Sequence, residues 1–175
     1  MKSYKYESNS DKDTLNLGKT IASFLQNKDI IILSGELGAG KTKFTEGILS
    51  YFNLQDEISS PTFTIVNEYI KNNINIYHFD AYRLSDSSEF YEIGGEEYFE
   101  KGICIIEWGE LILDAIPEEH LEIKFEKNNK SENSRSILFK AYGKKYEIIL
   151  DNLKEELLWK YYALIHLANY VVSQY

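Results

Sequence analysis

The chain has 175 residues, of which 43% are hydrophobic, and a formal net charge of −9. This length and composition are typical of one globular domain with a sizeable core, and they exclude a chain that is disordered throughout. The acidic balance argues against a protein that binds a nucleic-acid backbone unaided, because phosphate binding is driven by clustered lysine and arginine.

The first residues, MKSYKYESNSDKDT, contain no apolar segment, and no later run approaches the length of a membrane span. We therefore expect a cytoplasmic protein without a signal peptide or a membrane span.

In chain order, the first half of the sequence predicts alternating strands and helices. SYKYES alternates like a strand, and Ser10 with Asp13 forms a capping box that opens a helix. IIILS is a continuous apolar run of the kind found in a parallel strand that is buried on both faces. From Lys41 onward the apolar spacing is helical.

The second half predicts more strands around one or two short helices within residues 86–100. The last two strands, separated by Gly143, are expected to form an antiparallel hairpin. The predicted strands are residues 63–69, INIYHFDAYRL, ICIIEW, LEIKFE, SILFKAY and KYEIIL.

The tail predicts a helix that opens at Asp151 or Asn152. Its apolar stripe either packs on the domain or is presented to a partner. We therefore assign residues 1–150 to the main domain and residues 151–175 to a helical extension of it. The stripe consists of Leu153, Leu157, Tyr161, Leu164, Ile165, Ala168 and Val172.

The single cysteine and the three histidines give no metal or thiol motif. Cys104 lies in the apolar run GICIIEW, where a thiol usually acts as a small buried hydrophobe. His78, His120 and His166 are far apart and lack metal-ligand spacing.

The segment GELGAGKT, residues 35–42, matches the phosphate-binding P-loop pattern between a predicted strand and a predicted helix. Its glycines let backbone N–H groups curve around a phosphate, and the following helix points its positive dipole end at the same charge. Lys41 would reach the β and γ oxygens, and the Thr42 hydroxyl can bind Mg²⁺. We therefore expect a nucleoside triphosphate with Mg²⁺ as the ligand.

A P-loop nucleotidase also needs an acid at the end of a neighbouring strand, to hold the metal or to position the attacking water. Asp80 follows NIYHF and Glu107 follows ICII. Both stand at the carboxyl ends of apolar strands, the edge at which open α/β sheets bind ligands. Either acid alone could be a solvated strand end, but two acids beside a P-loop favour a functional pair.

Five motifs in this order resemble the TsaE family: GELGAGKTKFTEGIL, SSPTFTIVNEY, YHFDAYRL, EEYF and CIIEW. The resemblance implies an α/β P-loop NTPase fold with a mainly parallel central sheet and flanking antiparallel strands, to which this chain adds a C-terminal helix. It also implies ATP and Mg²⁺ as cofactors and a role in the threonylcarbamoyladenosine modification of tRNA.

The resemblance also implies roles for individual residues. Thr42 and Glu107 correspond to the Mg²⁺ positions, and Asp80 corresponds to the acid implicated in hydrolysis. Trp108 corresponds to a tryptophan near the nucleotide, although plain packing is an equal alternative. The phosphate site corresponds to Lys41 and the loop backbone of Gly38, Ala39, Gly40, Thr42 and Lys43.

Other positions correspond to the nucleotide-sensing and base-binding parts of the family. Ser60, Pro61 and Thr62 match a switch-like segment. The adenine contacts are expected at Asn9, Asp11 and Arg135.

The expected activity is Mg²⁺-dependent ATP hydrolysis. The chain contains only two arginines, Arg83 and Arg135, so a transition-state arginine is scarce within it. We therefore expect weak activity alone and stimulation by a partner, which the resemblance names as the TsaD and TsaB assembly, with tRNA reached only through that complex. The alternatives are a small-molecule or nucleotide kinase, which usually needs lid arginines, and a nucleotide-gated assembly module.

Overall fold

The computed structural model describes residues 1–54, 64–128, 131 and 133–172, with side chains in the last helix as far as residue 166. Within these residues, seven strands form one sheet in the order β1-β7-β6-β2-β5-β4-β3. The strands are β1 (Lys2–Ser8), β2 (Ile30–Ser34), β3 (Val66–Lys71), β4 (Ile74–Asp80), β5 (Ile103–Glu107), β6 (His120–Lys127) and β7 (Arg135–Tyr142).

The centre of the sheet is parallel and its two sides are antiparallel. Strand β2 pairs in parallel with both β5 and β6, and β4 pairs in parallel with β5. The β3–β4, β6–β7 and β1–β7 pairs are antiparallel. Every residue of β2 and β5 is buried, because the sheet is covered on both faces. The predicted mainly parallel centre with antiparallel flanks is confirmed.

Four α-helices lie in the described part of the chain: α1 (Asp11–Ala22), α2 (Lys41–Tyr51), α3 (Ser87–Glu92) and α4 (Lys144–Val172). Three 3₁₀-helical segments cover Ala81–Arg83, Gly95–Glu100 and Gly109–Ala115. The predicted capping box opens α1, where the Asp13 N–H donates to Ser10 Oγ at 3.1 Å and the Asn9 N–H donates to Asp13 Oδ2 at 3.1 Å.

Two apolar cores lie on opposite faces of the sheet, as the alternation along β2 shows. Ile31 and Leu33 belong to the core that includes residues of α1, α2 and α4, whereas Ile30 and Ile32 belong to the core under the short helices. Cys104 lies in this second core, fully buried, and burial raises the pKa of its thiol to about 12. The thiol is therefore a core group, as predicted.

A pair of glycines sets the distance between α1 and α2. A Cβ on Gly18 would lie 2.2 Å from the Phe44 carbonyl oxygen, and a Cβ on Gly47 would lie 2.1 Å from the Leu15 carbonyl oxygen. Only glycine fits both positions without moving a backbone, so α2 packs against α1 at close range.

The predicted hairpin between SILFKAY and KYEIIL is wrong, because KYEIIL lies in the first turns of α4. Its apolar residues follow helical spacing, and Tyr146, Ile149, Leu150 and Leu153 are all buried. A strand would have placed Ile148 on the same face as Tyr146, but Ile148 is half exposed.

Contacts with the start of β2 hold this segment as a helix. The Ile30 N–H donates to Tyr146 Oη at 2.8 Å, and Lys145 Nζ lies 2.7 Å from the buried Asp29 carboxylate. The helix therefore begins at Lys144, after Gly143 with φ of 90°, and not at Asp151 or Asn152. The boundary assigned at residue 150 falls inside α4.

The second half of α4 leaves much of its apolar surface exposed. Leu153 is buried and Leu157 is partly buried against the core, but the large apolar residues that follow are exposed. These are Leu158, Trp159, Tyr161, Tyr162, Leu164 and Ile165. In the described part of the chain, no helix combines the length and the apolar character needed to cross a membrane.

Candidate functional site

The Gly-rich loop joins the end of β2 to the start of α2. Gly35, Gly38 and Gly40 have φ of 131°, 73° and 111°, a region that residues with a Cβ rarely adopt. Gly35 is also confined by space, because a Cβ there would lie 2.3 Å from the Phe125 carbonyl oxygen. The glycines of the motif are therefore required by the path of the backbone.

Lys41 is the first residue of α2, and its side chain folds back over the loop. Its Nζ donates to the carbonyl oxygens of Gly35 at 2.7 Å and Glu36 at 3.2 Å, and lies 4.3 Å from the ring centroid of Trp108. Burial lowers the pKa of this ammonium, and the carboxylates of Glu107, Glu110 and Asp80 oppose that shift. The site therefore holds a buried cation that faces acids.

The two candidate acids stand side by side at the carboxyl ends of adjacent strands. Asp80 of β4 and Glu107 of β5 are paired in the parallel register, and both are buried, with 7% and 8% exposed. Asp80 Oδ1 accepts from the Tyr82 N–H at 3.1 Å, and Glu107 Oε1 lies 3.0 Å from His78 Nε2. Each acid thus has one oxygen held by the protein.

A cleft of about 340 Å³ is lined by every residue predicted to be catalytic, to bind the metal or to bind the nucleotide, except Asn9. Asn9 lies instead at the capping box of α1, where its N–H donates to Asp13. The predicted switch residues Ser60, Pro61 and Thr62 lie outside the described residues. Lining the cleft are Asp11, Gly38, Ala39, Gly40, Lys41, Thr42, Lys43, Asp80, Glu107, Trp108 and Arg135, together with Leu37, Glu46 and Asn133.

Two larger clefts, of about 570 and 710 Å³, border the second half of α4. Neither contains a predicted site residue. The predicted site residues therefore converge at a cleft that is smaller than these two.

Arg135 braces the Gly-rich loop. Its Nε donates to the Ala39 carbonyl oxygen at 3.0 Å, and one terminal nitrogen donates to the Gly38 carbonyl oxygen at 3.2 Å. The other terminal nitrogen donates to the carbonyl oxygen of Ser134 at 3.0 Å. The structure thus places this guanidinium on the loop backbone, whereas its contact with adenine stays a prediction.

Trp108 combines packing with a position at the site. It adopts φ of 58°, which is uncommon for a bulky residue, and its backbone N–H donates to the Leu33 carbonyl oxygen at 2.9 Å. Its ring packs 5.1 Å from the Tyr82 ring and covers the Lys41 ammonium. The tryptophan therefore shields the cation and forms one wall of the cleft.

Sequence reasoning missed His78, which lies at the site and is buried with 1% exposed. The signal was present in HFD, because residues two apart on a strand share a face. His78 and Asp80 consequently lie on one face of β4, next to Glu107.

The oxygen donors fit Mg²⁺ better than a transition metal. No group of three or more His, Cys, Asp or Glu side chains suited to a metal occurs among the described residues. Magnesium needs fewer protein ligands, because it is usually bound by one or two carboxylates together with substrate phosphates and waters. The exposed hydroxyl residue Thr42 and the acid Glu107 line the same cleft and supply that kind of donor.

The structure is that of an α/β protein with an open, mixed sheet. Its Gly-rich loop, a lysine and two acids lie at the carboxyl ends of parallel strands, the edge at which such sheets bind ligands. The family described as "Threonylcarbamoyl adenosine biosynthesis protein TsaE" matches residues 8–137. The chain belongs to this TsaE family of tRNA threonylcarbamoyladenosine biosynthesis.

Individual relatives agree with this family over most of the chain. The TsaE protein of Bacillus subtilis (strain 168) is 38% identical over 154 residues, which cover 87% of this chain and 95% of that protein. The TsaE protein of Rickettsia conorii is 41% identical over 125 residues, covering 70% of this chain and 71% of that protein. The crystal structure of Bacillus subtilis YdiB matches with a TM-score of 0.74 and 33% identity, covering 89% of this chain and 96% of that one.

Proposed function

We propose that this protein is a Mg²⁺-dependent ATPase with a P-loop NTPase fold that acts in tRNA threonylcarbamoyladenosine biosynthesis with TsaD and TsaB proteins. One observation carries the proposal: the Gly-rich loop and Lys41 face two acids held in register at the ends of β4 and β5. The proposed role places the protein in the cytoplasm.

The loop and Lys41 bind the phosphates of ATP. Positive φ at Gly38 and Gly40 turns the backbone so that successive N–H groups can point at one anion, at the N-terminus of α2. A lysine ammonium has three hydrogens, and two of them are used by the Gly35 and Glu36 carbonyl oxygens. The third hydrogen of Nζ is available to a phosphate oxygen.

Thr42 and Glu107 would hold the magnesium ion. When bound, Mg²⁺ neutralises charge on the β and γ phosphates. Thr42 stands in the first turn of α2 and is exposed, and Glu107 lines the same cleft. The second oxygen of Glu107 is the one available to the cleft, because Oε1 is engaged by His78.

Asp80 orients the attacking water. Its Oδ1 is held by the Tyr82 N–H, which fixes the carboxylate at the end of β4. The other oxygen can then accept a hydrogen bond from water beside the γ phosphate.

Changing Asp80 to asparagine should lower the rate of ATP hydrolysis by about 100-fold, because a positioned acid contributes 10²- to 10⁴-fold. ATP affinity should change less, since the loop and Lys41 remain. Single-turnover hydrolysis and calorimetric ATP binding measure the two effects, with Asp151→Asn as a distant charge-matched control. If D80N kept its biological function without hydrolysis, the nucleotide-gated assembly module would be favoured instead.

Partner stimulation tests the proposal as a whole. Arg135 is engaged by the Gly38 and Ala39 carbonyl oxygens, so it is committed to the loop and does not supply a mobile transition-state arginine. Steady-state hydrolysis with Mg²⁺ should be slow for the protein alone and rise about tenfold or more when TsaD and TsaB from the same organism are added, since a supplied arginine can contribute 10³ to 10⁵. An unchanged rate, with phosphate transfer to nucleosides or sugars, would overturn the proposal in favour of a kinase.

A further inference from the structure

His78 occupies a buried position directly behind one of the two acids. The imidazole is 1% exposed, and its Nε2 lies 3.0 Å from Glu107 Oε1. A carboxylate that binds a metal ion can only accept hydrogen bonds, so the tautomer of His78 that suits this role carries its hydrogen on Nε2 and donates it to Glu107. His78 pairs with Ile105 in the register between β4 and β5, two residues before Glu107, so the bond runs diagonally between the strands.

The other ring nitrogen shows that packing does not explain this histidine. Nδ1 is buried and has no hydrogen-bond partner among the described residues. A buried polar atom without a partner lowers the stability of the folded state, and an apolar side chain of similar size would avoid that cost. The hydrogen bond to Glu107 is therefore the contact that favours histidine over an apolar residue at this position.

We propose that His78 is a positioning residue that fixes the Glu107 carboxylate for the metal, an inference that rests on the proposed Mg²⁺-dependent function. A glutamate at a strand end can rotate about three side-chain bonds. The hydrogen bond between His78 and Oε1 restricts this rotation to the conformation in which the second oxygen faces the cleft. Groups that hydrogen-bond to metal-binding carboxylates typically change metal affinity 10- to 100-fold when they are removed.

Two substitutions separate this positioning from the size of the side chain. His78→Gln keeps an amide nitrogen near the place of Nε2 and can still donate to Glu107. His78→Leu has similar volume but no donor. A role limited to packing would tolerate leucine at least as well as glutamine, whereas positioning requires the donor.

The readout is the factor by which Mg²⁺ strengthens binding of a non-hydrolysable ATP analogue, measured by calorimetry in Mg²⁺ and in EDTA. The wild-type protein should show a clear Mg²⁺ factor, which H78L should reduce by about tenfold and H78Q should largely retain. Affinity in EDTA should stay within about twofold in both variants, because the phosphate loop is unchanged. In a Glu107→Ala background, H78L should have no further effect on the Mg²⁺ factor.

Other outcomes would overturn the inference. An H78L variant with the wild-type Mg²⁺ factor, equal losses in H78L and H78Q, or an H78L effect that persists without Glu107 would each exclude positioning through this carboxylate. If the wild type itself showed no Mg²⁺ factor, the proposed metal site would fail with it. Should H78L not fold, His78→Asn replaces it, because that amide is too short to reach Glu107 and should lose the factor that H78Q keeps.

Discussion

Changing Lys41 to methionine is expected to weaken ATP binding by about 100-fold or more while the protein stays folded. The variant loses a charge-assisted hydrogen bond to phosphate, worth roughly 1.5–3 kcal/mol, and the attraction of a buried cation for a polyanion. Each 1.4 kcal/mol corresponds to about a tenfold change in affinity. Methionine is preferable to alanine, because Lys41 is only 4% exposed and a long apolar side chain leaves less empty space at this position.

Calorimetric titration with ATP and Mg²⁺ measures the loss, and thermal unfolding without nucleotide checks the fold. The matched control is Lys101→Met, which removes the same charge from an exposed ion pair with Glu97. That control should bind ATP normally, since exposed pairs contribute little. An affinity of K41M within about threefold of wild type would show that Lys41 does not face the phosphates, because a single hydrogen bond to a charged group is worth more than that.

The parts of the site that depend on local sequence were predictable. The glycines and the lysine of the loop belong to one short motif, and IIILS and ICIIE are apolar runs typical of strands in a sheet that is covered on both faces. Asp80 ends β4 and Glu107 ends β5, and the carboxyl ends of parallel strands lie at one edge of the sheet. The sequence therefore predicts that Asp80 and Glu107 lie at the same edge of the sheet.

The remaining parts depend on contacts between residues far apart in the chain. KYEIIL satisfies both a strand and a helix pattern, and the helix prevails because Tyr146 and Lys145 reach the start of β2 at Ile30 and Asp29. The contact of Arg135 with the loop joins residues 96 positions apart, and no local pattern predicts it. His78 was overlooked because its partner Glu107 lies on another strand.

A single added methyl group at Gly47 is expected to lower the free energy of unfolding by about 3 kcal/mol, although alanine favours a helix over glycine by about 1 kcal/mol. The Cβ of Gly47→Ala would lie 2.1 Å from the Leu15 carbonyl oxygen and 3.0 Å from Gly18 Cα, so α1 or α2 must move. Because the obstructing atoms belong to the backbone, no side chain can rotate away to relieve the contact. The loss should lower the melting temperature by roughly 10 °C.

Urea unfolding followed by circular dichroism measures this loss, with Ser50→Ala on the partly exposed side of α2 as a control expected within about 0.5 kcal/mol of wild type. Gly18→Ala should cost about as much, because its Cβ would lie 2.2 Å from the Phe44 carbonyl oxygen. The double variant should lose less than the sum, since helices moved apart by the first methyl group already have room for the second. A stabilised G47A, as helix propensity alone predicts, would contradict the close packing of α1 on α2.

ATP affinity should fall together with stability in G47A. Helix α2 begins at Lys41 and Thr42, so a displaced helix changes the position of both residues relative to Glu107.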